Sequence, residues 1–138
     1  ENLLLANEQL RRRFSATVAY DRFTFSANTS LHFVMLLQAI EGELPVQTIS
    51  FVEPAMIKRF YLASYGLIDY LIKIVDRAVW LVQVQDLVGI ELPVLAQAFE
   101  DEVWSYATED RNPFSASFNF QPLFGKREPF ETFEESST

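Results

Sequence analysis

The stretch from Leu67 to Val88 leaves little choice of fold. It holds no proline or glycine, and Gly66 and Gly89 bracket it. Asp69, Lys73 and Asp76 recur at i, i+4 and i+7, with Gln83 further along the same stripe. Ile68, Leu71, Ile72, Ile74, Val75, Val79, Leu81 and Val82 fill most of the rest. A helix that is apolar over most of its circumference has to be surrounded. The segment is therefore expected to be the central helix of a bundle with one narrow wet stripe. The alternation Val82-Gln83-Val84-Gln85 leaves a strand as the alternative for its end. A membrane span over Gly66 to Val84 is rejected, because Asp69, Lys73, Asp76 and Arg77 would each cost about 2.5–3.5 kcal/mol at a bilayer centre.

Four further helices are expected around it. Residues 2–21 lack Gly and Pro and are rich in good helix formers. Leu3, Asn7, Leu10 and Phe14 alternate in steps of four and three, as along a coiled-coil seam with Asn7 as its polar position. The pattern lasts barely two heptads, so an amphipathic helix is preferred to a coiled coil. Asn28 or Thr29 is expected to cap a helix from Ser30 to about Glu41, stopped by Gly42. Leu31, Phe33, Val34, Met35, Leu36, Leu37, Ala39 and Ile40 leave it almost no polar face, which implies burial on all sides. Ser50 to Glu53 has capping-box spacing, with Pro54 opening a helix to about Tyr65. Residues 46–51 before it read as a strand or an extended loop. Pro93 opens the last helix, to about Thr108, with Leu95, Phe99, Val103 and Tyr106 on one face.

After Asp110 the character changes. Residues 111–138 carry three Pro, one Gly and six of the thirteen Phe. Phe114, Phe118, Phe120, Phe124, Phe130 and Phe133 lack the aliphatic company for a core of their own, and six exposed rings would promote aggregation. The arm is expected to wrap its own bundle, clasp a second protomer or dock on a partner through Asn112-Pro113-Phe114. The clasp is favoured because arm exchange is an easy route to dimers. Residues 117–121 alternate as residues 22–26 do, so the two are expected to pair as a small ribbon. The fold expected is mainly α: a single-domain bundle of about five helices over 1–110 with a minor two-stranded β-ribbon, and an extended Phe-rich C-terminal arm over 111–138.

Composition narrows the function classes. The 138 residues include no Cys and one His, at a formal net charge of −8. Missing cysteines exclude a disulfide scaffold and a thiolate zinc site. The acidic balance disfavours nucleic acid, whose phosphates call for surplus Lys and Arg. Without a membrane span, a basic leader region or cysteines, a cytoplasmic setting is expected. The opening Glu1 in place of Met suggests a fragment of a longer protein.

His32 has no partner motif, so no catalytic residue is assigned to it. Glu100, Asp101 and Glu102 are consecutive and fan out around a helix, so no metal site is assigned there. The four glycines are isolated, which excludes a phosphate-binding loop. No cofactor is expected. Residues 98–110 hold five acids and no base, and Arg11, Arg12 and Arg13 are a complementary basic run. The two patches could meet within one chain or between protomers, setting orientation more than affinity.

The reading favoured is a non-enzymatic interaction and oligomerisation module, an assembly or regulatory subunit whose partner is itself, as a homodimer, or another protein. Leu3, Asn7, Leu10, Phe14, the three arginines and the arm phenylalanines would form the interface. A small-molecule-binding or sensory domain with a pocket of Tyr61, Tyr65, Tyr70 and Trp80 is the first alternative. An enzyme using Asp69, Lys73, Asp76 and Arg77 is the second.

Overall fold

A computed structural model describes residues 27–123 and 125–131. The helix expected over 2–21 and the strand expected over 22–26 lie outside them. The described chain is mainly helical: α1 (Ala27–Gly42), β1 (Gln47–Thr48), α2 (Pro54–Ser64), α3 (Ile68–Val84), β2 (Gly89–Ile90) and α4 (Leu92–Glu102). Among the described residues the helices thus number four. No helix among them is long and apolar enough to cross a membrane.

α3 is the hub. Leu71, Ile72, Ile74, Val75 and Ala78 are fully buried, α4 lies along it and α2 packs against it. Its last turn stays helical, so the strand alternative for Val82 to Gln85 fails. The helix stops four residues earlier than expected. Gln85 N–H donates to Leu81 O at 2.9 Å, and Asp86 takes φ 55°, letting Leu87 N–H reach back to Val82 O at 2.9 Å. This left-handed closure satisfies carbonyls that would otherwise be orphaned at the helix end.

Between α2 and α3 the chain turns a tight corner. Tyr65 and Gly66 both have positive φ, 53° and 75°. Buried Ser64 braces the corner: its hydroxyl donates to Phe60 O at 2.8 Å and accepts from Gly66 N–H at 3.2 Å. Pro54 occupies the first turn of α2 as expected. The capping box does not form. Glu53 is the N-cap without a side-chain cap bond, and Ser50 Oγ instead accepts from Val52 N–H at 3.3 Å. The neighbouring Phe51 N–H is taken by Glu41 Oε1 at 2.9 Å, which ties this loop to α1.

The small sheet differs from the expected ribbon. β1 and β2 pair in parallel, Gln47 with Gly89 and Thr48 with Ile90, and Ile49 N–H extends the ladder to Ile90 O at 3.0 Å. A Cβ on Gly89 would stand 2.6 Å from Gln47 O, so only glycine permits this approach. Residues 117–121 form no strand. Ser115 Oγ accepts from Ser117 N–H at 3.1 Å, Asn119 Oδ1 accepts from Gln121 N–H at 3.1 Å, and Phe120 takes φ 58°. These local side-chain turns compete with extended pairing, and alternation alone did not reveal them.

Two helices need correction. α1 already begins at Ala27, before the Asn28 or Thr29 expected to cap it, and it is not buried all round. Phe33, Leu36, Leu37 and Ile40 face the core, but Leu31 and Met35, one turn apart, are 59% and 55% exposed. α1 is a flanking helix, and one side suffices to anchor it. α4 ends at Glu102 rather than Thr108. Three consecutive carboxylates crowd its C-terminal end, where the helix dipole disfavours negative charge. Tyr106, expected on its inner face, lies beyond the end and is exposed.

Candidate functional site

The expected site residues are best taken by region. Leu3, Asn7, Leu10, Arg11, Arg12, Arg13, Phe14, Phe124 and Phe133 lie outside the described residues. The described arm packs on the chain's own helices. Phe114 sits edge-on to Phe60, with ring centres 5.1 Å apart, and also meets Phe99. Phe130 stacks on Tyr65 at 5.4 Å and stands edge-on to Tyr70 at 5.4 Å. Phe118 is buried against half-buried Phe120. The Asn112-Pro113-Phe114 segment is buried. Asn112 and Phe114 are buried, and the Asn112 amide donates to Ala96 O at 3.0 Å while its Oδ1 caps Phe114 N–H at 3.0 Å.

Two arginine-centred points organise the arm further. Arg111 forms a fork with Glu128, Nε to Oε2 at 2.7 Å and Nη2 to Oε1 at 2.6 Å. The same guanidinium donates to Asn119 Oδ1 at 2.9 Å and Pro122 O at 2.8 Å, so one side chain gathers three stretches of the arm. Burial alone would push the Glu128 carboxyl up. The hydrogen bonds from Arg111 and from Gly125 N–H, together with the Arg111 charge, outweigh this and hold it below its ordinary value. The second point is Arg59 on α2. Its Nη1 donates to Pro113 O at 2.9 Å and Ser115 O at 2.6 Å, and its guanidinium lies 4.9 Å from the Phe120 ring centre. Burial lowers its pKa from the ordinary arginine value, but arginine remains charged in proteins.

The aromatic pocket does not form as expected. Tyr61 and Tyr65 are buried and Tyr70 half-buried, but Phe130 fills the space between Tyr65 and Tyr70. Trp80 is 39% exposed and carries the Arg77 guanidinium 4.8 Å from its ring centre. Arg77 turns to Glu102 on α4, with Nη2 to Oε2 at 2.6 Å. Asp69 and Lys73 are exposed and Asp76 half-buried, while Lys73 Nζ lies 5.6 Å from the Tyr70 ring centre. Among the described residues no three His, Asp or Glu converge as a metal site.

A groove opens at the junction where α3 ends and α4 begins. Leu81, Gln85, Leu87, Pro93, Val94, Gln97 and Asp101 line a groove of about 450 Å³. Leu81 and Gln85 stand one turn apart on α3, and Val94, Gln97 and Asp101 recur along α4, so two helical ridges form its walls. Val84, Leu87 and Val88 beside it are exposed, Val88 to 85%. Asp101 is the one carboxylate among the lining residues, in a sequence stretch, 84–110, with seven Asp or Glu and no Lys, Arg or His. Asp101 accepts from Gln97 Nε2 at 2.8 Å at the rim. Sequence reasoning missed this groove. It depends on where α3 stops, and the residues that line it were read as helix interior or as solvated surface. The run of large apolar residues at 84, 87 and 88, flanking a helix end, was the signal available. Comparison of the chain with protein-family models, curated proteins and solved structures finds no match.

Proposed function

We propose that this protein is a non-enzymatic interaction and oligomerisation module, an assembly or regulatory subunit that associates with a second copy of itself. The observation that supports this reading is the apolar surface at the α3–α4 junction. Trp80, Val84, Leu87 and Val88 are exposed within nine residues, beside the groove. The arm rings Phe114 and Phe130 are almost wholly inaccessible, while Leu31 and Met35 on α1 and Tyr106 beyond α4 are exposed apart from this surface. Apolar surface concentrated in one place marks association sites more than scattered single residues do, and a Trp with a stacked Arg is of the composition enriched at binding hot spots.

Sedimentation velocity of the full chain over a wide concentration range tests this. Association that deepens with concentration is expected, together with its loss in the Val84→Asp/Val88→Asp variant. A chain that stays monomeric throughout would overturn the reading.

A further inference from the structure

We propose that Ser117 is a phosphorylation site whose phosphate is received by Arg59. It uses a part of the molecule that the association reading does not. Arg59 is half-buried on α2. Arg77 and Arg111 are half-buried too, and each pairs with a carboxylate, Glu102 and Glu128. Arg59 pairs with no carboxylate among the described residues. Only its Nη1 is hydrogen-bonded, to Pro113 O and Ser115 O, and Phe120 covers one face of the guanidinium. Nη2 and Nε keep their donors unused. A partly buried charge without a counter-charge is costly, and an anion on that open edge would remove the cost.

The turn over Arg59 supplies the attachment point. Phe114 and Phe118 are buried on either side of Ser115-Ala116-Ser117. Ser115 O accepts from Phe118 N–H at 3.2 Å as well as from Arg59 Nη1 at 2.6 Å. The turn is thus pinned at both ends and held on the arginine. Ser117 N–H folds back to Ser115 Oγ at 3.1 Å, which engages the Ser115 hydroxyl. The Ser117 hydroxyl is exposed and makes no hydrogen bond among the described residues. Two residues of chain span at most about 7 Å, so Ser117 stays close to the arginine that holds Ser115.

The reaction is phosphoryl transfer from a nucleoside triphosphate by a protein kinase. Ser117 Oγ bonds to the γ-phosphorus as the bond from that phosphorus to the bridging oxygen breaks. The nucleoside diphosphate leaves, and the hydroxyl proton passes to the kinase's base. The product carries a charge of about −1.5 to −2 near neutral pH, and the planar guanidinium fork suits its oxygens. Tethering makes the contact intramolecular, so a single arginine can hold a phosphate that it would bind only weakly from solution. Because Nη1 stays on Pro113 and Ser115, the new bonds add to the arm's hold on α2.

The test uses the full chain with phosphoserine encoded at position 117 and, as a reference, at position 105, where Ser105 is exposed in the acidic run after α4. Phosphorus NMR follows the second ionisation of each phosphate. At 117 it should fall at least about 0.5 below the ordinary value near 6, because a neighbouring guanidinium favours the dianion. At 105 it should not fall. Arg59→Gln should return the 117 value to the ordinary one, and Arg59→Lys should keep part of the displacement. Equal values at 117 and 105, or a 117 value indifferent to Arg59→Gln, would overturn Arg59 as the receiver; the reference at 105 decides even if Arg59→Gln does not fold. Protein isolated from its own cells with phosphatases inhibited should carry phosphate on Ser117 by mass spectrometry. Recovery of the Ser117 peptide wholly unmodified would overturn the site.

Discussion

The C-terminal arm and the α3–α4 junction pose one problem with opposite solutions. Both place large apolar side chains where no regular element of their own can bury them. In the arm, Phe114 and Phe130 pack among the helices, Arg59 and Arg111 donate to the carbonyls of Pro113 and Pro122, and Asn112 Oδ1 accepts from Phe114 N–H. At the junction, Leu87 and Val88 follow a left-handed helix closure and stay in water. Burying an irregular segment requires polar partners for its backbone. The arm has them, in the form of two arginines and an asparagine placed at the right points. The lesson is that rings in a low-complexity tail belong to the core when the tail also carries such side chains.

The comparison breaks most severely at the arm's deepest ring. Phe114→Ala should cost about 3–5 kcal/mol, read by denaturant unfolding, because it empties the space between Phe60 and Phe99. Loss within surface-substitution range would mean that the arm is not part of the core. Arg111→Ala comes next, at about 2–3 kcal/mol, since it strands Glu128 and two arm acceptors together. Arm amides such as Phe130 N–H, bonded to Leu123 O at 2.8 Å, should then exchange faster than those of α3.

Acid sharpens the same contrast. The Glu128 carboxyl is held below its ordinary value in the fold, so its contribution is present above the unfolded value near pH 4.3–4.5 and fades as pH falls through the folded one. Wild-type stability should therefore drop over that acid range more steeply than that of Glu128→Gln. Parallel unfolding curves would remove Glu128 from the latch. The smallest effect belongs to the junction: Val88→Ser should shift monomer stability by less than about 0.5 kcal/mol. A larger loss would show that Val88 is packed, and the open-surface side of the comparison would fail.

Several features were legible in order. The central α3 followed from a charged stripe one residue wide, Pro54 marked the start of α2, and Pro93 marked α4 to within a residue. The misreadings share a cause. Ends and pairings depend on groups that hydropathy does not register: Ser115 and Asn119 turning the arm, carboxylates at 100–102 ending α4, Asp86 closing α3. α1 showed the converse limit, since an all-apolar helix need not be covered on every side.

By itself the sequence determined that this chain is mainly helical, that α3 lies at its centre and that the arm's phenylalanines need cover. Periodicity and transfer free energy suffice for those statements, because they concern which surfaces must leave water. Only the tertiary structure decided where that cover lies, that Phe130 packs against Tyr65 and Tyr70, and that a groove opens between α3 and α4. Those outcomes depend on which side chains meet across long sequence separations, as Arg59 meets Pro113 and Gly89 meets Gln47, and no local pattern encodes such meetings.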